Sequence, residues 1–361
     1  MGTSMSPSRR RAAQSFGALL AVASLGLTTA GVATARPVTD RLSPVKTVVG
    51  AARPLGSVAP QVPTTPTPTP TPTKPAPTPT PTKPAPTPTT PAPTTPTVFF
   101  GAAGDVDTLT SIAGETVGRH AYGNFQGAVP QGRMITANAS GVPWTSVSSA
   151  VPGTPMYNNI VRWAQTIKAR PGKILFSFGH EPEVVKKAGL GTPEEYRAAY
   201  QRVWTIFRQQ GVTNVSWVYQ TTAWAYRVNQ TALGSATTWY PGDAYVDVVG
   251  GDAYNWNTCG LPGQNKSVPL STIAGGILTF AKAHNKKASL PEFAATSAPD
   301  RAQWLSDGYK WLKANNAYFV AAYYFNRPPT NPDNMDCVWW LNTPSEYATY
   351  KAIIQDSWTV S

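Results

Sequence analysis

Residues 61–97 hold 15 prolines alternating with threonine, and TPTPTKPAP at 69–77 is repeated letter for letter at 78–86. Proline at every second or third position fixes φ and removes backbone donors, so neither helix nor sheet can form there. The tract is expected to be an extended polyproline II spacer. At ~3.1 Å per residue it reaches up to ~115 Å. Whatever packs a core must therefore lie after it. The 264 residues from Val98 onward carry 37 of the 38 aromatic residues and all 12 tryptophans. A segment of that size and composition can bury a large core.

Upstream, Arg9, Arg10 and Arg11 precede an apolar stretch from about Phe16 to Val32, and Ala33-Thr34-Ala35 places small residues at −3 and −1. That is the layout of a signal peptide cleaved before Arg36. The chain is thus divided into a signal peptide (1–35), a disordered Pro/Thr-rich linker (36–97) and one folded domain (98–361). Export implies a secreted, extracellular protein, held at the cell envelope if the spacer tethers it. No stable membrane insertion is expected after cleavage, because nothing beyond Val98 has 18 consecutive apolar residues. The net charge of +12 is misleading. Nine of the 30 basic residues and one of the 18 acidic ones precede Val98, leaving the folded segment with 21 against 17. A nucleic-acid partner would need the surplus on the folded part, so none is expected. Two cysteines and three widely spaced histidines argue against a metal site or other cofactor.

From Val98 the pattern alternates between strand and helix. Strands are expected at Val98–Gly101, Arg119–Asn124, Arg133–Asn138, Lys173–Gly179, Val215–Gln220, Tyr245–Asp252, Ala288–Phe293 and Phe319–Phe325. Helices fall between most of them, although none is visible after the second and fifth strands. Thr192-Pro193-Glu194-Glu195 has the spacing of a capping box, and Tyr196, Tyr200, Val203 and Phe207 follow on one helical face. Eight such units in about 260 residues fit a (β/α)₈ TIM barrel. An open doubly wound sheet would carry a glycine-rich phosphate loop, which is missing.

In such barrels the chemistry sits at the C-terminal ends of the strands. Glu181 follows the fourth strand in GHEPE, and Glu292 closes the seventh in LPEF. Paired carboxylates are what glycoside hydrolysis needs, one to protonate the leaving oxygen and one to attack the sugar carbon or activate water. GHEPE, WYPGDAYVDVVGGDAYN around the sixth strand and LPEF together resemble glycoside hydrolase family 26, whose members are retaining (β/α)₈ enzymes, most often β-mannanases. The resemblance implies Glu181 as acid/base, Glu292 as nucleophile, His180 as a residue positioning both, and Tyr254 beside the nucleophile. It implies a secreted endo-β-glycosidase acting on β-1,4-mannan or a related glycan. The arginine that many family mannanases carry before His-Glu is replaced by Phe176-Ser177-Phe178. The tryptophans that usually follow the glutamate are replaced by Pro182-Glu183-Val184-Val185. These departures question the polymer more than the reaction.

Further candidates for sugar contact are His120 on the second strand, with a structural histidine as the alternative, Trp144, Trp224 and Trp256 in loops on the same face, and Tyr324 at the end of the eighth strand, where the family usually offers a tryptophan. Glu183 is the alternative acid/base. Asp252 is a candidate hydroxyl or Tyr254 partner, and Asp105 reads as a helix cap. Cys259 and Cys337 lie in loops opening on one barrel face. Export favours a disulfide between them, with two buried thiols as the alternative. The polysaccharide is the expected partner of a monomer. The rival readings are a weakly active or inactive glycan-binding envelope protein on the same scaffold, and a β-glucanase or xylanase.

Overall fold

The computed structural model describes residues 97–361 except 139–140, 185–188, 228–230, 260–264 and 329–336. The expected signal peptide and all but the last residue of the expected linker lie outside the described residues. Eight parallel strands follow one another in space: β1 (Val98–Gly104), β2 (Gly118–Asn124), β3 (Met134–Asn138), β4 (Ile174–Phe178), β5 (Val215–Thr222), β6 (Val248–Asn255), β7 (Lys287–Ala295) and β8 (Phe319–Asn326). β8 pairs with β1 and β1 with β2, which closes the (β/α)₈ barrel. A short β9 (Thr359–Val360) adds to the outside of β1.

Helices cover the barrel: α1 (Val106–Ala113), α2 (Trp144–Ser148), α3 (Pro155–Lys168), α4 (Pro193–Gln209), α5 (Ala236–Trp239), α6 (Leu270–Ala283), α7 (Arg301–Ala314) and α8 (Pro344–Ile354). The two positions where no helix was visible are genuine irregularities. β2 leads through a loop directly into β3, and β5 is followed by 3₁₀ turns and the single-turn α5. Local signals explain the helix starts. Asp105 caps α1 by accepting from the Thr108 amide. Thr192 and Glu195 form the reciprocal capping box of α4, whose buried face carries Tyr196, Tyr200, Val203 and Phe207.

Two strands that build the site differ from their sequence expectation. β6 begins at Val248, not Tyr245, because the Tyr245 ring packs against Trp204 outside the sheet at 5.1 Å. β7 runs on to Ala295, so Glu292 lies within the strand rather than at its end. The reason is Pro291. It has no N–H to give, and a proline inside a central strand is confined to a bulge. The register on both sides of β7 shifts across this point, between Gly250 and Ala253 of β6 on one side and between Leu290 and Phe293 of β7 itself against β8 on the other. Gly250 makes room for the ring, since a Cβ there would stand 2.8 Å from Pro291 Cγ. Bulges re-aim side chains, and this one frees the Pro291–Glu292 segment from the ladder.

The barrel seam is the tightest contact in the sheet. β1 and β2 share only Gly101↔Gly118 and Ala102↔Arg119. A Cβ on Gly101 would lie 2.0 Å from the Gly118 carbonyl oxygen. Below the mouth the barrel is filled by Met134, Leu175, Val218, Val248, Ala321 and Tyr323. On the outside, Arg301 at the start of α7 is fully buried and makes a two-pronged bond to Glu346 of α8, at 2.6 and 2.7 Å. Burial pushes the Glu346 carboxyl up, but Arg301 and the amides of Asn342 and Thr343 outweigh it, and the net shift is downward.

Two outcomes are expected. Gly101→Ala should prevent the seam from forming and yield protein without a cooperative thermal transition, whereas Gly275→Ala, on α6 with nothing near its added methyl, should fold normally. Glu346→Ala leaves the Arg301 charge buried and should cost ~3–5 kcal/mol in denaturant unfolding. Because the folded carboxyl titrates below its unfolded value, the stability contributed by Glu346 is present above pH ~4.5 and lost as pH falls. The variant should show a correspondingly flatter acid limb.

Candidate active site

The site is built on Glu292, which the β7 bulge turns into the barrel mouth. Both carboxylate oxygens are gripped. Tyr122 of β2 donates its phenol proton to Oε1, and Tyr254 of β6 donates to Oε2. Burial first, and then the charge on Glu292, raise both phenols well above their ordinary pKa, so each remains a donor. The resemblance pointed to Tyr254. Tyr122 was not singled out, although alternation along β2 places it on the same inward face as His120.

Glu181 stands after β4 with φ of +47°, one of two non-glycine residues in the left-handed region among the described residues. Such backbone concentrates at functional sites. It is fixed by its amide donating to the Gln220 carbonyl of β5 at 2.8 Å. Gly179, at φ +62°, makes the preceding turn under Tyr196 and Trp144. The charge on Glu181 is felt at Tyr122, as are those on Glu292 and Asp252, so the ends of β4, β6 and β7 share one electrostatic neighbourhood. His180 lies between them. Its Nδ1 is 3.2 Å from Asn138 Oδ1, and its ring is 5.6 Å from that of Tyr122. Glu183 accepts from the Thr222 amide at 2.6 Å and so ties this loop to β5.

Several expected sugar contacts are corrected. His120 is 2% exposed and meets protein on both ring nitrogens, donating from Nδ1 to the Pro291 carbonyl at 2.8 Å and facing Thr136 Oγ1 from Nε2 at 2.8 Å. It supports the site from beneath. Tyr324 is fully buried on the helix side of β8, with its hydroxyl donating to the Trp339 carbonyl at 3.0 Å. The odd–even alternation of Tyr323, Tyr324 and Phe325 turns Tyr324 away from the barrel interior. Trp144 is also core. Trp224 remains open at 42% exposure, with the Arg227 guanidinium 3.5 Å from its ring centroid.

An aromatic group beside Tyr254 comes from elsewhere. Trp339, in the loop after β8, packs edge-on against both Tyr254 and Trp256 at 4.9 Å. It lies 13 residues beyond β8, where no strand-end reading reaches it. Cys259 and Cys337 are joined, Cα atoms 4.6 Å apart, and this bridge ties the Trp256 loop to the Trp339 loop. Among the described residues, no three His, Cys, Asp or Glu side chains are grouped as a metal ion would require.

A closed parallel barrel with carboxylates raised at its C-terminal mouth places the chain in the class of (β/α)₈ proteins that glycoside hydrolases exemplify. The comparisons narrow this. The model of glycosyl hydrolase family 26 matches residues 154–319, which include Glu181, Tyr254 and Glu292. Endoglucanase H of Acetivibrio thermocellus is 28% identical over 207 residues, covering 54% of this chain. The chain spans only 21% of that relative's length. A GH26 β-mannanase from Bacteroides ovatus superposes with a TM-score of 0.50 at 16% identity, covering 73% of this chain and 90% of that one. At that identity the superposition speaks for the fold. Residues 154–319, the larger part of the barrel, are thus similar to glycosyl hydrolase family 26.

Two measurements follow from this geometry. Burial drives the His120 imidazole from 6.5 down to about 3, against the pull of the Pro291 carbonyl. The unfolded chain therefore binds a proton that the folded chain refuses, and stability is lost as pH falls from about 6.5 towards about 3. Between pH ~6.5 and ~5, above the range of ordinary carboxylates, the thermal midpoint should fall less in His120→Asn than in the parent chain. Replacing both Cys259 and Cys337 by serine should lower unfolding free energy by ~2–4 kcal/mol.

Proposed function

We propose that this protein is a secreted, monomeric, retaining endo-β-glycosidase in which Glu292 attacks the sugar and Glu181 acts as acid/base, with β-1,4-mannan or a related glycan as substrate. The observation that carries the reading is the double phenol grip on Glu292. A nucleophile must be ionised and held still, and two neutral donors on its two oxygens stabilise the carboxylate without neutralising it. When the carboxylate becomes a glycosyl ester its charge is lost. The same two phenols are then placed to help it leave as a carboxylate in the second step. Glu181, on the facing loop after β4, protonates the departing oxygen and then deprotonates the incoming water. A retaining pair requires the two carboxyls to lie ~5–5.5 Å apart. Export and the spacer are part of the proposal and rest on the sequence of residues 1–97.

The polymer is the open variable. The curated relative is named an endoglucanase and the structural neighbour a β-mannanase, so a β-glucan is the second substrate to test. Reducing-sugar release should be measured on β-mannan, mixed-linkage glucan, xylan and envelope polysaccharide, and release from β-mannan is expected to dominate. Glu292→Ala should lose on the order of 10⁴-fold or more in kcat. Glu181→Ala should slow substrates with poor leaving groups far more than activated aryl glycosides. NMR should show the β-anomer as the first product. An α-anomer first, or near-normal turnover in either variant, would overturn the assignment. A chain beginning at Thr95 should keep the activity of the full chain on a soluble substrate, and a large loss would count against a spacer role for residues 36–97.

A further inference from the structure

A line of buried polar side chains crosses the barrel interior under the site. Asp252 of β6 has both oxygens 3.0 Å from the end of the Gln220 amide. The other end of that amide is 3.0 Å from Thr136 Oγ1, and Thr136 Oγ1 is 2.8 Å from His120 Nε2. His120 Nδ1 ends the line on the Pro291 carbonyl and also lies 3.1 Å from the Tyr122 hydroxyl. Asp252 and His120 are each 2% exposed, and Gln220 and Thr136 are fully buried. These four residues come from four different strands, and all side-chain contacts among them run between those strands.

The donors can be counted. The Pro291 carbonyl only accepts, so His120 Nδ1 carries a proton. Thr136 has one hydroxyl proton to give, either to His120 Nε2 or to Gln220. If it goes to Gln220, then Nε2 is also protonated, and the barrel buries an imidazolium and an Asp252 carboxylate with two neutral residues between them. If it goes to Nε2, Gln220 turns its N–H towards Thr136 and its carbonyl towards Asp252, which then donates a carboxyl proton. A half-turn exchanges the nearly isosteric ends of the amide. The second arrangement contains no charge, and in a buried site two separated charges cost several kcal/mol each in lost hydration.

We propose that Asp252 is a proton-bearing acid whose hydrogen bonds run one way, through Gln220, Thr136 and His120, to the Pro291 carbonyl, which makes His120 the positioning residue of the nucleophile. The proposal rests on the reading of Glu292 as that nucleophile. The carbonyl at the end of the line belongs to the residue before Glu292, and the bulge has released it from the sheet. His120 Nδ1–H is shared with the oxygen of Tyr122, whose own proton goes to Glu292, so one imidazole fixes both the backbone and one phenol of the grip. The groups facing the line agree with its neutrality. Burial first, and then the charges on Glu292 and Glu181, raise Asp252 well above the usual carboxylate range. Around His120 stand Tyr122, with ring centroids 4.3 Å apart, and Tyr323 at 5.7 Å, both uncharged.

The test is nitrogen NMR of the full ¹⁵N-labelled chain, which has three histidines, with His120 assigned by loss of its signals in His120→Gln. From about pH 5 to about pH 8, where a free imidazole would titrate, Nδ1 should stay protonated and Nε2 bare. Thr136→Val removes the hydroxyl with little change of shape. It should release the tautomer, so that Nε2 becomes partly protonated, and lower kcat about tenfold with KM changed less than about twofold. Asp252→Asn, which keeps a donor, should preserve the His120 signature, while Asp252→Leu should not. Should Thr136→Val fail to fold, Gln220→Met breaks the same line. Protonation of both nitrogens across the pH range, or an unaltered His120 signature in the broken relay, would overturn the proposal. The spectra need no turnover, so a chain that hydrolyses none of the polymers would refute the proposed function while leaving the relay to be judged separately.

Discussion

Closure of the sheet between β1 and β2 is the constraint on which the rest depends. In the order β7-β8-β1-β2, the strands carrying Glu292 and Tyr122 are three steps apart. They meet only because the sheet curls into a barrel and their side chains reach across its interior. The seam that permits this is two residues long and admits no side chain at Gly101. An open sheet of the same strands would leave Glu292 without Tyr122, and the Pro291 carbonyl without His120.

The site then presents an electrostatic problem. Glu181, Glu292 and Asp252 lie within one neighbourhood, and like charges at short range in a poorly solvated pocket cannot all persist. The donors around them divide the roles. Glu292 has two direct phenol partners and is the carboxylate in the arrangement proposed above. Asp252 has a single amide end before it and holds a proton in the arrangement proposed above. The separation resembles other carboxylate sites in which neighbouring acids are pushed apart by their surroundings.

Around the carboxylates, the aromatic lining is assembled by long-range links instead of strand ends. Arg301 bonds to Glu346 and to the carbonyl of Val338, the residue before Trp339. The disulfide holds Cys337 from the other side. Trp339 is thereby held against Tyr254 and Trp256 by a buried ion pair and a covalent bridge. A loop tryptophan thus packs against Tyr254, one of the two phenols on Glu292.

The sequence by itself determined what short-range physics controls. Strand–helix alternation over 264 residues specified the barrel. Capping residues set the starts of α1 and α4, and two carboxylates beside glycine and proline marked the mouth. Resemblance of three short segments was enough to indicate the family. Tertiary structure alone decided which side chains meet. Tyr122 lies 170 positions from Glu292, and no local pattern distinguishes it from any other strand tyrosine. His120 and Tyr324 were both candidates for sugar contact, but the closed barrel buried one beneath the site and turned the other towards the helices. Trp339 was invisible because its place depends on a loop path, not on periodicity. Periodicity reports which face of a strand a residue occupies. Only closure, with the bulge at Pro291, decides what stands opposite.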